Sequence, residues 1–268
     1  GLHKALGRLI VEPASRRRAL LTGLLAAWTL ALGLASHRRN AVYQDAVRLW
    51  QDTASKRPTS ERAWLNLGNA LSAKGMYEKA LGAYQKAIRI NPRRVEAQGN
   101  LANALCALGH HEAALPYYRE AIRLNAAYAP ARSSLGSALN ALGQHEEALV
   151  QHKRALRLMP DSAEVQFKMA NACAVPGRHE EAVAHFQKAI ELQPQAVEFR
   201  NNLGNSLKAL RRYDEAVACY QEILHRQAGS IPAAGNLGLT WLEMGFPDRA
   251  LGVFMEAAQR SGQPGTVL

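Results

Sequence analysis

A period of 34 residues runs through most of this 268-residue chain. Residues 61–264 divide without insertion or deletion into six units, namely 61–94, 95–128, 129–162, 163–196, 197–230 and 231–264. In every unit position 7 is Leu or Met, position 8 is Gly or Ala, and position 20 is Ala. A fixed period of this length is typical of a solenoid, in which each unit buries its apolar face against the next.

The pattern inside a unit predicts two antiparallel helices joined by a tight turn. Small residues at positions 8 and 20 allow the two helices to approach closely. Gly at position 15 supplies the left-handed residue that ends the first helix, except in the fifth unit, where Arg211 replaces it. Position 24, which we expect to fill the space between neighbouring units, holds Tyr84, Tyr118, His152, Phe186, Tyr220 and Phe254. Aromatic residues make up only 6% of the chain, which argues against an all-β fold.

These six units resemble the tetratricopeptide repeat. The resemblance implies an all-α, right-handed superhelix whose first helices line a concave face, and a role in protein–protein recognition. Residues 37–60 are interpreted as a degenerate half repeat, because Ala46, Trp50 and Pro58 fall at positions 20, 24 and 32. Residues 265–268 form a short tail. The sixth unit is unusually apolar and no polar cap follows, so we expect its end to be truncated or covered by a partner.

Polar residues recur at positions 6 and 9 of the predicted first helices, and we call this set the asparagine stripe. Eight of the twelve are Asn, although helix interiors disfavour Asn. An Asn amide carries both a donor and an acceptor, so such a stripe can hold the backbone of an extended peptide. Leu239 ends the stripe at position 9 of the sixth unit. The predicted peptide-binding residues are Asn66, Asn69, Asn100, Asn103, Ser134, Ser137, Lys168, Asn171, Asn202, Asn205 and Asn236.

The stripe resembles the asparagine ladder of the O-GlcNAc transferase repeats, including the phrase NLGNAL at residues 66–71. That resemblance implies binding of a polypeptide through its backbone. The carboxylate clamp of chaperone-binding repeats is matched poorly, because Leu65 stands where a basic residue is expected. An alternative is that the amides only bond between adjacent helices.

The N-terminal segment predicts a membrane anchor. Residues 19–36, from Ala19 to Ser36, contain no charge, and arginines flank them on both sides, after a basic segment at 1–18. Eighteen helical residues rise about 27 Å, which is just enough for the hydrocarbon core. A signal peptide and a buried helix are the alternatives. A slight excess of basic residues on the N-terminal side favours a repeat region outside the cytoplasm.

No sequence motif points to catalysis, a cofactor or a metal. The chain has no Gly-rich phosphate loop, HExxH or G-x-S-x-G motif. His111, His145 and His179 share position 17 and are interpreted as turn residues, and the three widely spaced cysteines as small apolar fillers. The net charge of +11 is concentrated in residues 1–60, where ten Lys and Arg face three acidic residues. Because the repeats themselves are nearly balanced, nucleic-acid binding is not expected.

Two functions therefore remain open. The first is a membrane-tethered scaffold that binds an extended protein segment in its concave groove. The second is the non-catalytic repeat region of a polytopic membrane glycosyltransferase, which recruits protein acceptors. The second rests on a resemblance to transmembrane O-mannosyltransferases and their bacterial relatives, carried by residues 38–50 and 62–68.

Overall fold

The computed structural model of the chain describes residues 45–175 and 177–261. These residues form thirteen α-helices and no strand, which confirms the all-α prediction for this part of the chain. The first seven helices are α1 Ala46–Lys56, α2 Glu61–Ala73, α3 Tyr77–Ile90, α4 Val95–Ala107, α5 His111–Leu124, α6 Ala129–Ala141 and α7 His145–Leu158. The other six are α8 Ala163–Ala174, α9 His179–Leu192, α10 Val197–Ala209, α11 Tyr213–Arg226, α12 Ile231–Glu243 and α13 Pro247–Ser261.

Helix boundaries follow the 34-residue period. The first residue of every unit is also the first residue of a helix, and each unit is one helical hairpin. The turn glycines at position 15 have φ between 71° and 84°, and Arg211 has φ 59°. The prediction that position 15 is left-handed is therefore confirmed, and it holds even where glycine is replaced.

The helices pack as two compact bodies, and the boundary between them in the sequence lies between Asn91 and Pro92. The first body holds α1 against α2 and α2 against α3. In the second body the helices pair as α4/α5, α6/α7, α8/α9, α10/α11 and α12/α13, and consecutive first helices also touch. Within this body, each first helix after α4 is therefore wedged against both helices of the preceding hairpin, which is how a solenoid shares one core between units.

The side chain at position 24 packs inside its own hairpin. A Cβ atom added to Gly68 would lie 2.4 Å from Tyr84 Cε1, and one added to Gly204 would lie 2.6 Å from Tyr220 Cε1. The ring thus lies over the small residue at position 8 of the same unit. The expectation that the ring fills the space between neighbouring units did not include this contact within the hairpin, although Tyr118 also shares a core cluster with Leu135 of the next unit.

A hydrogen bond at position 4 joins consecutive units, and the sequence analysis did not predict it. The position-4 side chain donates to the backbone carbonyl at position 32 of the unit before. Gln98 Nε2 donates to Pro92 O at 3.2 Å, and Gln166 Nε2 donates to Pro160 O at 3.1 Å. The same bond is made by Trp64, Arg132 and Arg200 to Pro58, Ala126 and Pro194.

The sixth unit exposes a surface whose equivalent is buried in the earlier units. Position 21 is buried in the third unit, where Leu149 is 2% exposed, but Leu251 in the sixth unit is 58% exposed. Phe254, at position 24, is also exposed, whereas its five counterparts are buried. Among the described residues, no first helix stacks beyond α13.

The predicted membrane span at 19–36 and the basic segment before it lie outside the described residues. Within the part of the chain that is described, every helix is too short or too polar to cross a bilayer.

Candidate functional site

The first helices carry the asparagine stripe along one side of the hairpins. We call this surface the first-helix face; it comprises positions 6, 9 and 12 of each unit. Position 9 is exposed at Asn69, Asn103, Ser137 and Asn205, and half-buried at Asn171. Position 6 is half-buried in all six units. Position 9 is thus the row that a ligand would meet first.

Tyrosine hydroxyl groups donate hydrogen bonds to the position-9 amides from within the same hairpin. Tyr84 Oη donates to Asn69 Oδ1 at 3.0 Å, within the first hairpin. Tyr118 Oη donates to Asn103 Oδ1 at 2.7 Å, and Tyr220 Oη donates to Asn205 Oδ1 at 2.8 Å. Each bond joins positions 9 and 24 of one unit, 15 residues apart. The amide oxygen is thereby engaged within the hairpin and its plane is fixed.

The nitrogen atoms of two of these amides differ from the oxygens in their hydrogen bonding. Asn103 and Asn205 are exposed, and no hydrogen bond of either Nδ2 group is found within the described residues. The oxygen of each amide already accepts one hydrogen bond, so the N–H groups are the part of the amide left wholly to a ligand. These two residues offer N–H groups in fixed directions, so they are suited to bind carbonyl oxygens.

Other members of the stripe bond to asparagines of the neighbouring unit, one of which, Asn201, lies at position 5 outside the stripe. Asn202 Nδ2 donates to Asn171 Oδ1 at 3.0 Å, and Asn236 Nδ2 donates to Asn201 Oδ1 at 2.9 Å. Phe186, at position 24 of the same unit as Asn171, has no hydroxyl group, and the Asn171 oxygen accepts from the next unit. For these residues, the alternative interpretation of amides bonding between adjacent helices describes the contacts found.

The stripe is interrupted in the third unit, where Ser134 and Ser137 replace Asn and His152 stands in place of Tyr or Phe. These shorter side chains leave a hollow of about 210 Å³ on the first-helix face. It is lined by Asn103, Cys106, His111, Tyr118, Ser134, Ser137, Ala138 and Lys168. The structure therefore brings four predicted site residues together at one place.

Burial controls the ionisation of the groups around this hollow. It raises the pKa of the Tyr118 hydroxyl and of the Cys106 thiol, which lie 3.5 Å apart, so both stay protonated at neutral pH. Burial, with a smaller contribution from the Lys168 charge, lowers the pKa of His152 to about 4. Lys168 Nζ pairs with Glu164 at 2.6 Å on the rim.

The residues that we set aside as structural show no arrangement for chemistry. Within the described residues, no three His, Cys, Asp or Glu side chains are grouped to hold a metal ion. Cys173 is buried, and Cys106 and Cys219 are half-buried on helices. Burial raises the pKa of Cys173 and of Cys219 to about 11, so neither is a reactive thiolate. His145 Nδ1 lies 2.6 Å from Asn140 Oδ1 beside the turn.

The sequence analysis missed the tyrosines and His111 as members of the site. A signal for the tyrosines was present, because Asn at position 9 coincides with Tyr at position 24 in three units. Ser137 instead accompanies His152, and Leu239 accompanies Phe254. Every Tyr at position 24 is therefore accompanied by Asn at position 9, and Asn171 beside Phe186 is the one Asn at position 9 without a tyrosine.

Comparison with protein families supports the repeat assignment. Four models of the tetratricopeptide repeat match residues 61–94, 83–115, 128–195 and 176–239. No curated protein sequence matches the chain.

Several solved structures share the fold. The APC/C hetero-tetramer Cut9–Hcn1 matches with a TM-score of 0.69 and 19% identity, over 86% of this chain and 45% of that one. The chain thus spans less than half the length of this relative. TTC0263, a thermophilic repeat protein from Thermus thermophilus, matches with a TM-score of 0.59 and 27% identity, over 68% of this chain and 100% of its own.

YrrB, described as a repeat protein with an unusual peptide-binding site, matches with a TM-score of 0.54 and 21% identity, over 70% of this chain and 97% of its own. The period, the hairpins and these matches agree. The chain belongs to the tetratricopeptide repeat family.

Proposed function

We propose that this protein is a non-catalytic scaffold that holds an extended polypeptide segment against its first-helix face. The observation that carries the proposal is the row of position-9 amides whose oxygens are fixed by tyrosine hydroxyls. Asn103 and Asn205 keep their N–H groups for a ligand. The YrrB repeat protein, which has a peptide-binding site by its description, lends support from a similar fold.

The physical basis is preorganisation. A free asparagine must lose side-chain entropy when it binds, whereas Asn103 and Asn205 are already held by Tyr118 and Tyr220. An extended strand presents carbonyl oxygens at regular intervals, so these donors can bind its backbone with little demand on its side chains. Specificity must then come from neighbouring features of the face.

The test removes the donors and keeps the acceptors. In Asn103→Asp combined with Asn205→Asp, a carboxylate oxygen still accepts from each tyrosine, but the N–H groups are gone. The full chain is used to select binders from a phage-displayed library of random peptides, and a selected peptide is labelled for fluorescence anisotropy. We expect the double variant to bind this peptide about tenfold more weakly or worse, because two net hydrogen bonds are lost.

The matched control places the same charge change elsewhere. Gln85→Glu with Gln187→Glu alters two exposed second-helix side chains at position 25, and it should leave the affinity unchanged. Far-UV circular dichroism checks that both double variants keep their helices. Failure to select any peptide, or equal affinity in all three proteins, rejects the proposal.

We also propose that the segment from Ala19 to Ser36 tethers the repeats to a membrane, with the repeats outside the cytoplasm. Its support is the uncharged run between two groups of arginines. Sodium carbonate extraction of membranes should leave the full chain in the pellet, while a chain without residues 1–44 should move to the supernatant. Extraction of both into the supernatant contradicts the tether. Protease added to intact cells or spheroplasts tests the sidedness.

A second candidate function is the acceptor-recruiting region of a larger membrane glycosyltransferase. The favouring observation is an apolar run followed closely by a half repeat, whose second helix is α1. Reading the gene upstream of Gly1 tests it. Several further apolar spans would support this candidate, and an initiating Met shortly before Gly1 would reject it.

A further inference from the structure

The hollow in the third unit has a different chemistry from the rest of the stripe. Most of the stripe presents amides, but here Ser134 and Ser137 of the third unit are short, and Lys168 of the fourth unit supplies a cation at position 6. No unit other than the fourth carries a charged residue at position 6 or 9. The hollow is thus the one place along these two rows where a formal charge faces the ligand side.

Its lining is rich in donors and contains no carboxylate. The eight residues that line it include Lys168, Asn103, Ser134 and His111 as donors, and neither Asp nor Glu. One acceptor of the lining, Asn103 Oδ1, already accepts from Tyr118. The Ser137 hydroxyl donates to Ser133 O at 3.2 Å, so its hydrogen is used within the helix. A ligand that fits such a lining supplies acceptors and negative charge.

Lys168 is available to such a ligand. Its partner Glu164 is exposed and lies one turn earlier on α8, so their contact is a pair of the i, i+4 type at the surface. Pairs of this kind stabilise a helix by only about 0.3–0.5 kcal/mol. The Lys168 side chain itself is better buried than Glu164, with 28% of it exposed against 72%. A carboxylate arriving in the hollow therefore competes with a weak contact.

The size of the hollow limits the ligand to a single side chain. Its volume of about 210 Å³ is below the roughly 300–1,000 Å³ typical of pockets for whole small molecules. We propose that the hollow beside Lys168 accepts one acidic side chain, Asp or Glu, of the polypeptide that lies on the first-helix face. This inference rests on the proposed function and adds a sequence preference to it.

The experiment reverses the charge and reads the sequences that bind. Random peptides displayed on phage are selected on the full chain, on Lys168→Glu and on Lys188→Glu. Lys188 is exposed on the second helix α9 and pairs with Glu191, so its variant has the same net charge as the first without altering the hollow. This control matters because the chain carries a net charge of +11, which favours acidic peptides anywhere on its surface.

We expect Asp or Glu to be enriched at one fixed register on the full chain and on Lys188→Glu. On Lys168→Glu, Lys or Arg should replace them at that register. A third variant, Lys168→Met, removes the charge without adding a repulsive one and should abolish the enrichment. Acidic enrichment that persists in both Lys168 variants overturns this inference and leaves the proposed function standing. If no peptide is selected on the unaltered chain, both this inference and the proposed function are rejected.

Discussion

At the scale of single residues, one hydrogen bond sets the character of the first-helix face. A tyrosine 15 residues away occupies the amide oxygen of Asn69, Asn103 and Asn205. His152 stands at the same position in the third unit, 1% exposed, and its Nδ1 has no partner within the described residues. Histidine at this position thus places a buried group that titrates in mild acid in the third hairpin, where the other units have Tyr or Phe.

His152 predicts a loss of stability in mild acid. Its pKa is about 4 in the folded chain against 6.5 for the free side chain, mainly because burial disfavours the charged form. Between these values the unfolded chain takes up a proton that the folded chain refuses, so the free energy of unfolding falls as the pH falls. The full loss for this residue is about 3 kcal/mol.

The measurement is urea unfolding at a series of pH values between these limits. His152→Phe copies the Gly238/Phe254 pairing of the sixth unit and should flatten the decline. The part due to His185 should persist, since burial also lowers the pKa of that side chain. His110→Gln, which removes an exposed histidine, serves as the control. An unchanged decline in His152→Phe would show that His152 is not its source.

At the scale of the helical hairpin, the closest contacts are made by glycines inside the first helices. Tyr84 lies over Gly68, so closely that a methyl group at Gly68 would overlap the ring. Gly82, on the second helix of the same hairpin, has nothing within 4 Å of an added Cβ. Alanine substitution at each of the two glycines therefore separates the effect of helix propensity from the effect of the space that the added methyl group needs.

We predict opposite effects for these two substitutions. Gly82→Ala should stabilise the chain by about 1 kcal/mol, because alanine favours the helix. Gly68→Ala gains the same propensity but displaces the closely packed ring of Tyr84, for a net loss of about 1 kcal/mol. The second unit accommodates Ala102 beside Tyr118, so we expect a shifted ring and not an unfolded hairpin. Urea midpoints that rise in both variants would contradict the close contact.

At the scale of the whole molecule, stability is shared between neighbouring hairpins. Leu149 and Leu251 occupy the same position in their units, yet only Leu149 is covered by the hairpin that follows. In a stacked array, the contribution of a residue to stability depends on whether the next unit is present.

This dependence on the next unit predicts unequal losses of stability when Leu is replaced by Ala at the same position of two different units. Leu149→Ala should destabilise the chain by about 3 kcal/mol, because it leaves a cavity between two units. Leu251→Ala should change stability by less than about 0.5 kcal/mol, since its side chain is already in water. Thermal unfolding followed by circular dichroism compares the two. A large loss for Leu251→Ala would mean that its surface is covered in solution.

The period made most of this architecture predictable from the sequence. Position 15 had to be left-handed wherever a turn followed, and Arg211 obeys this even without being glycine. Two features escaped because each depends on the hydrogen-bonding partner of a particular side chain. The tyrosine bond joins positions 9 and 24, and the bond from Gln166 to Pro160 O crosses from one unit to another. Neither is encoded in helix periodicity, which specifies faces but not partners.

The engaged oxygen of Asn103 has a consequence for the sequence of the proposed polypeptide ligand. A contact that takes up only carbonyl groups makes no use of a strand's own N–H, so the absence of that hydrogen costs nothing there. Proline and N-methylated residues should therefore be tolerated opposite Asn103 and Asn205, where a β-sheet edge would reject them.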